Sequence, residues 1–178
     1  PMLTLATLAP FRRLAAGEMV ATVKVISYGV AEDSVARAEA VGQGALRLAR
    51  PVLETATLVE TRVGRDAPPD KGRRAMRARL DALGITLSPR VVVPHDEAEI
   101  ARAVAAAPGQ LVLILTASAT SDIRDTAPEG LRRAGGTVTH FGMPVDPGNL
   151  LFLGEAAGRP VIGLPGCARS PALNGADW

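Results

Sequence analysis

Residues 111–125, LVLILTASATSDIRD, decide the fold. The first five are apolar and follow Pro108 and Gly109, which is the pattern of a strand buried on both faces of a parallel sheet. The stretch then turns polar: Thr116, Ser118, Thr120, Ser121, Asp122, Arg124 and Asp125 come in quick succession, and Thr126, Pro128 and Glu129 read as a helix start. In an open α/β sheet the loop between a strand's carboxyl end and the next helix is where ligands bind, because free N–H groups and the helix dipole point there. Such a loop suits a phosphate or a carboxylate-held metal. The same residues also fit a hydroxyl-rich turn that only caps its helix.

Upstream, residues 94–107 give a loop, Pro94-His95-Asp96, and then a helix from about Glu97, preceded by a strand ending at Val91-Val92-Val93. Residues 55–63, TATLVETRV, form another strand, and the turn GRDAPPDKG (64–72) leads into a helix carrying Met76, Leu80 and Leu83 on one face and closed by Gly84. Residues 19–28, MVATVKVISY, alternate as a strand does, and Asp33 and Ser34 cap a helix running to about Ala49. Residues 1–18 show no clear period and read as a lead-in. Downstream, a helix ends at Gly135-Gly136, residues 137–141 form a strand, PVDPGN (144–149) is a turn, and 150–153 and 160–164 are strands joined by EAAGR. Strands alternating with helices of about a dozen residues imply a three-layer α/β/α fold with a mainly parallel, doubly wound sheet and a C-terminal hairpin at one side. Residues 1–50 are expected to pack their strand and helix on this core, and residues 51–178 to form the main domain.

Composition narrows the function. At 178 residues and 47% hydrophobic the chain is long enough for one core. A net charge of +2, with three Phe, one Tyr and one Trp, gives little support for nucleic-acid binding. The apolar runs are shorter than a membrane span. The sequence starts at Pro1, which suggests a fragment of a longer chain. Its one cysteine, Cys167, cannot form an intramolecular disulfide, so a reducing cytoplasm is the expected setting. His95 and His140 are the only histidines, too few for a zinc cluster.

The loops at 64–72, 94–97 and 116–125 fall at the same end of a parallel sheet, so their carboxylates can converge. Asp96 and Asp125 each open a helix, where the dipole stabilises a negative charge. As a pair near phosphate-binding amides they would hold Mg²⁺; apart, they simply cap helices. Basic residues at 62–79 read mainly as a solvated helix face, with Asp70-Lys71-Gly72 set apart at a loop tip. Cys167, after Leu-Pro-Gly, is either a reactive thiolate at a helix start or a packing residue.

Taken together, Thr116 to Asp125 with Thr126-Ala127-Pro128-Glu129, Pro94-His95-Asp96-Glu97 and Asp70-Lys71-Gly72 resemble the molybdopterin-binding domain of molybdenum-cofactor biosynthesis proteins. Met143-Pro144-Val145-Asp146-Pro147-Gly148-Asn149 and Gly163-Leu164-Pro165-Gly166 are similar to its second half. The longer blocks GMPVDPGNLL (142–151) and VIGLPGCARSP (161–171), with NGADW (174–178), resemble a bacterial subgroup in which this domain precedes a cofactor nucleotidyltransferase domain. The resemblance covers about residues 52–178.

It implies a pocket for the pterin dithiolene and its phosphate. Asp96 and Asp125 match acidic positions used for magnesium and for adenylyl or molybdate chemistry, and Asp70 matches the acidic residue of the first loop. Thr116, Ala117, Ser118, Ala119, Thr120, Ser121 and Arg124 fall on the phosphate-cradling loop. Gly148, Asn149, Pro165, Gly166, Cys167 and Ser170 fall on the second wall. Two departures stand out: Ala117-Ser118 and Thr120 replace family glycines, and Asn149 replaces a lysine. Glycine lets backbone approach phosphate and take positive φ, so these changes favour binding over turnover. The expectation is therefore a molybdopterin-binding domain that presents the pterin phosphate to a fused or partner nucleotidyltransferase, with Mg²⁺ used weakly or not at all. The alternatives are a self-sufficient Mg²⁺-dependent transferase and a non-catalytic scaffold. A homo-oligomer and a partner domain beyond Trp178 belong to the same expectation.

Overall fold

The computed structural model describes residues 3–177, so Pro1, Met2 and the Trp178 of the NGADW block lie outside the described residues. The chain divides into two compact units, 1–50 and 51–178. The first contains β1 (Leu3–Thr7), β2 (Ala21–Val25) and α1 (Glu32–Gly42). The lead-in expectation is corrected here, because β1 pairs antiparallel with β2 from Leu3 opposite Val25 to Thr7 opposite Ala21. Apart from Leu3 and Ala21, the residues of both strands are exposed, so no buried face imposes a period on the sequence. Helix α1 also ends earlier than expected, at Gly42, and Gly44 follows at φ +74°. Its N-cap is Ala31 rather than Asp33 or Ser34, and Asp33 instead pairs with Arg37 at 3.1 Å.

The second unit runs β3 (Thr55–Arg62), α2 (Lys71–Asp81), β4 (Thr86–Leu87), β5 (Val91–Pro94), α3 (Glu97–Ala106), β6 (Leu111–Leu115), α4 (Thr126–Arg133), β7 (Thr137–Phe141), β8 (Phe152–Ala156) and β9 (Arg159–Gly163). Single 3₁₀ turns follow at Gly166–Arg169 and Gly175–Asp177. The sheet order is β3-β6-β9-β8-β7, and the free edge of β3 is shared between β4 at Thr55–Ala56 and β5 at Val59–Arg62. Every pairing is parallel except those of β8 with β7 and β9. The fold is thus mixed α/β on a mostly parallel sheet.

All five residues of β6 are buried, and they serve both faces. Val112 and Ile114 pack with Ile100 of α3, Leu131 of α4 and Phe152, while Leu111, Leu113 and Leu115 pack with Met76 and Leu80 of α2. This alternation sets α2 on one side of the sheet and α3 with α4 on the other. Leu83, expected on the buried face of α2, lies beyond the helix and is exposed, while Gly84 takes the positive φ of a helix stop.

The C-terminal hairpin lies at one side of the sheet, as expected, but not at its edge. Ala157 and Gly158, both at positive φ, make the tight turn between β8 and β9. β9 then inserts beside β6, with Val112, Leu113 and Ile114 opposite Val161, Ile162 and Gly163, so β7 becomes the outer strand. Among the described residues no helix is long and apolar enough to cross a membrane. Phe152 is fully buried in the cluster with α3 and α4. Phe152→Ala is expected to lower the unfolding free energy by about 3–5 kcal/mol, read as a lower urea midpoint.

Candidate functional site

Because β3, β5 and β6 run parallel, the loops that follow them leave at one end of the sheet. A cleft of about 390 Å³ opens there, lined by Thr61, Arg62, residues 66–69, Ala117 and Arg169 among others. Its floor is the last turn of β3, where alternation sends Glu60 toward α2 and Thr61 toward α3.

Glu60 is only 2% exposed and carries a paired charge. Arg90 Nε donates to Glu60 Oε2 at 2.8 Å, and its Nη2 donates to the Pro68 carbonyl at 2.6 Å, which ties the first loop to the sheet. A buried carboxylate needs such a partner. Asp70 stands 3.9 Å from Arg90 and 3.4 Å from Arg74, so its charge too is matched within the protein. Arg169, from the turn after β9, donates to the carbonyls of Thr116 and Gly166. Its burial lowers its pKa from the ordinary arginine value, and the charge of Glu60 opposes that shift. Arg62 donates to the Gly64 carbonyl. Among the described residues neither Arg62 nor Arg169 is in ion-pair contact with a carboxylate; both guanidiniums line the cleft and spend hydrogen bonds on backbone oxygens.

On the other side of β3, Thr61 joins two loops. Its Oγ1 accepts the Ala117 N–H at 2.7 Å and lies 3.0 Å from His95 Nδ1, while His95 Nε2 lies 2.9 Å from Ser118 Oγ. Thr116 Oγ1 donates to the Ser118 carbonyl at 2.6 Å and sits 3.4 Å from Thr120 Oγ1; both threonines are buried, so their hydroxyls brace the loop from inside. Ala117, Ser118 and Ala119 form the exposed tip.

A family model described as a probable molybdopterin binding domain matches residues 55–173. The chain belongs to this family. No curated protein matches it. The crystal structure of the molybdopterin biosynthesis MoeA protein from Pyrococcus horikosii is similar, with 22% identity and a TM-score of 0.47. That match covers 64% of this chain and 30% of the other, so the chain spans less than a third of that protein's length. The family segment begins at the first residue of β3 and takes in the cleft and all three loops.

In this molybdopterin-binding domain the carboxylates expected to hold a metal are engaged in their own loops. Asp96 caps α3, its Oδ1 accepting the N–H groups of Ala98 and Glu99 at 2.9 and 3.1 Å. Asp125 occupies the N-cap position of α4, but its Oδ2 turns back to accept the N–H groups of Ser121 and Asp122 at 2.6 and 3.0 Å. Among the described residues no group of three or more His, Cys, Asp or Glu gathers as a metal site. The Mg²⁺ reading of Asp96 with Asp125 therefore has no structural support. Arg124 is exposed, and its N–H donates to Asp122 Oδ1 at 2.7 Å.

The glycine replacements are accommodated without strain. Phe11 and Ala157 are the described non-glycine residues at positive φ, so Ala117, Ser118 and Thr120 all sit in ordinary backbone conformations.

The expected second wall is tied mainly to the C-terminal segment. Gly148, at φ +124°, packs on Gly175, and a Cβ there would lie 2.2 Å from the Gly175 nitrogen. Asn149 is exposed and its carbonyl accepts the Met143 N–H. Pro165 is buried before the 3₁₀ turn, which is shorter than the helix expected after Leu-Pro-Gly. Gly166 and Cys167 lie within that turn, and the Cys167 carbonyl accepts from Asn174 Nδ2 at 3.2 Å and from the Ser170 N–H at 2.8 Å. Ser170 Oγ accepts the Ala172 N–H, and its carbonyl accepts from Arg79, which also grips Asp177 at 2.8 and 2.9 Å. Arg73 and Arg79, expected on a solvated face, are structural: Arg73 is buried and bonds the Ser88 carbonyl at 2.7 Å.

Sequence reasoning passed over Glu60, Thr61, Arg62, Arg90 and Arg169. The available signal was Glu60-Thr61-Arg62, three polar residues in a row after Leu58-Val59 at the end of a strand. Asp96→Ala is expected to destabilise the domain by about 1 kcal/mol through loss of the cap, without altering any response to Mg²⁺ in thermal unfolding. Gly148→Ala is expected to lower the melting temperature more than Asp96→Ala does, because both backbone conformation and space oppose a Cβ.

Proposed function

We propose that this domain binds molybdopterin at the carboxyl end of its sheet and presents the pterin phosphate to a nucleotidyltransferase, fused or separate. The observation that carries the reading is that Arg62 and Arg169 both line the cleft and, among the described residues, form no ion pair with a carboxylate, in a segment that belongs to the molybdopterin-binding family. Arginine recognises phosphate through charge and paired donors together. Arg169 thereby supplies a cation that Asn149 does not.

In this reading Arg169 and Arg62 hold the phosphate, Ala117 to Ala119 form the lip over it, and the loop tied down by Arg90 closes the opposite side. Asp96 and Asp125 keep the two helix-entry loops in shape rather than taking part in chemistry, and turnover belongs to the partner, which also supplies any metal. Assembly into a homo-oligomer and residence in the cytoplasm are part of the same proposal.

Anaerobic titration of molybdopterin, followed by pterin fluorescence with and without Mg²⁺ and ATP, tests it. Binding is expected to be independent of Mg²⁺, to weaken about tenfold or more in Arg169→Ala, and to recover partly in Arg169→Lys. No product should form from ATP. An adenylylated product that disappears in Asp125→Asn would make the domain a transferase in its own right, and absence of binding would leave a scaffold.

A further inference from the structure

We propose that Thr61, His95 and Ser118 form a hydrogen-bond chain of fixed direction, in which His95 is the Nε2–H tautomer and the Ser118 hydroxyl hydrogen is left to donate to an anionic oxygen of the ligand. The direction follows from burial. Thr61 has no exposed surface, and its Oγ1 already accepts the Ala117 N–H. Its hydroxyl hydrogen must still find an acceptor, because a buried donor without one is destabilising. Among the described residues the side-chain acceptor in reach is His95 Nδ1, at 3.0 Å. A neutral imidazole that accepts at Nδ1 carries its hydrogen on Nε2. That hydrogen points to Ser118 Oγ at 2.9 Å, so Ser118 is the acceptor in this contact. Ser118 is exposed at the loop tip, and its own hydrogen is then available to a ligand.

The consequence is chemical selectivity. The Ala117 N–H, which a phosphate cradle would otherwise aim at its anion, is consumed inside the protein by Thr61. The tip offers a hydroxyl donor in its place, and an oxyanion such as a phosphate ester satisfies it where a cationic group does not. Ser118 touches the ligand; Thr61 and His95 are positioning residues. The inference rests on the proposed molybdopterin reading only for the identity of that ligand.

The direction of the chain can be read without ligand. His95 and the exposed His140 are the only histidines, so ¹⁵N-histidine labelling of the full chain gives two imidazoles, assigned with His140→Gln. At alkaline pH, His95 is expected to show a pyridine-type Nδ1 and a pyrrole-type Nε2, more one-sidedly than His140. Thr61→Val should return His95 to the mixture shown by His140, and Thr61→Ser should not. A pyrrole-type Nδ1 on His95 overturns the proposal.

The second readout is molybdopterin affinity. Ser118→Ala is expected to bind about tenfold more weakly and Ser118→Thr to bind as the parent does. His95→Gln should weaken the parent but add nothing in the Ser118→Ala background, as coupling through one chain requires. Equal binding by the parent and Ser118→Ala overturns the outward donor. If the parent fails to bind molybdopterin at all, the proposed function falls and takes the ligand half of this inference with it, while the imidazole spectrum decides the direction independently.

Discussion

The structure depends on the burial of β6 on both faces. A strand with no solvent face must have its N–H and C=O groups paired on both sides, and β3 and β9 supply those partners in parallel. Five apolar residues then serve two helical layers, Val112 and Ile114 for one and Leu111, Leu113 and Leu115 for the other. Parallel pairing also carries the loops after β3, β5 and β6 to one end of the sheet. The site is thus a consequence of how the core is closed.

The same alternation continues past the apolar part of β3. Glu60 falls on the α2 side and meets Arg90, with Arg169 near enough to feel its charge, while Thr61 falls on the α3 side and meets Ala117 and His95. One dipeptide therefore anchors the first loop through a guanidinium and the third loop through a hydroxyl. The carboxylates that look most chemical in the sequence do quieter work: Asp96 and Asp125 accept backbone N–H groups, and Asp70 pairs with arginines. The charged residues that line the cleft are Arg62, Arg169 and Asp66, two cations against one carboxylate, among mostly apolar neighbours.

The periodic parts of the fold were legible in the chain. The strands at 55–62, 111–115 and 137–141, the helices that follow 70, 96 and 125, and the hairpin through Ala157 and Gly158 all lie close to where alternation and punctuation put them. Less legible were elements whose partner is distant or whose faces are equally exposed, as with β1, the two-residue β4 and the end of α1. Of the site, the three loops and their common end were readable. The placement of Glu60, Thr61, Arg90 and Arg169 was not, since each acts on a residue 22 to 56 positions away.

By itself the sequence determined the kind of fold, its family and the loops that carry its polar residues, because hydrophobic period, turn residues and motif order are local properties of the chain. Only the tertiary structure decided that β9 lies beside β6, that Asp96 caps α3 while Asp125 turns back into its own loop, and that Arg169 reaches the cleft. A carboxylate has the same composition whether it binds a metal or a backbone amide. Which it does is fixed by what the folded chain leaves within hydrogen-bond distance of it.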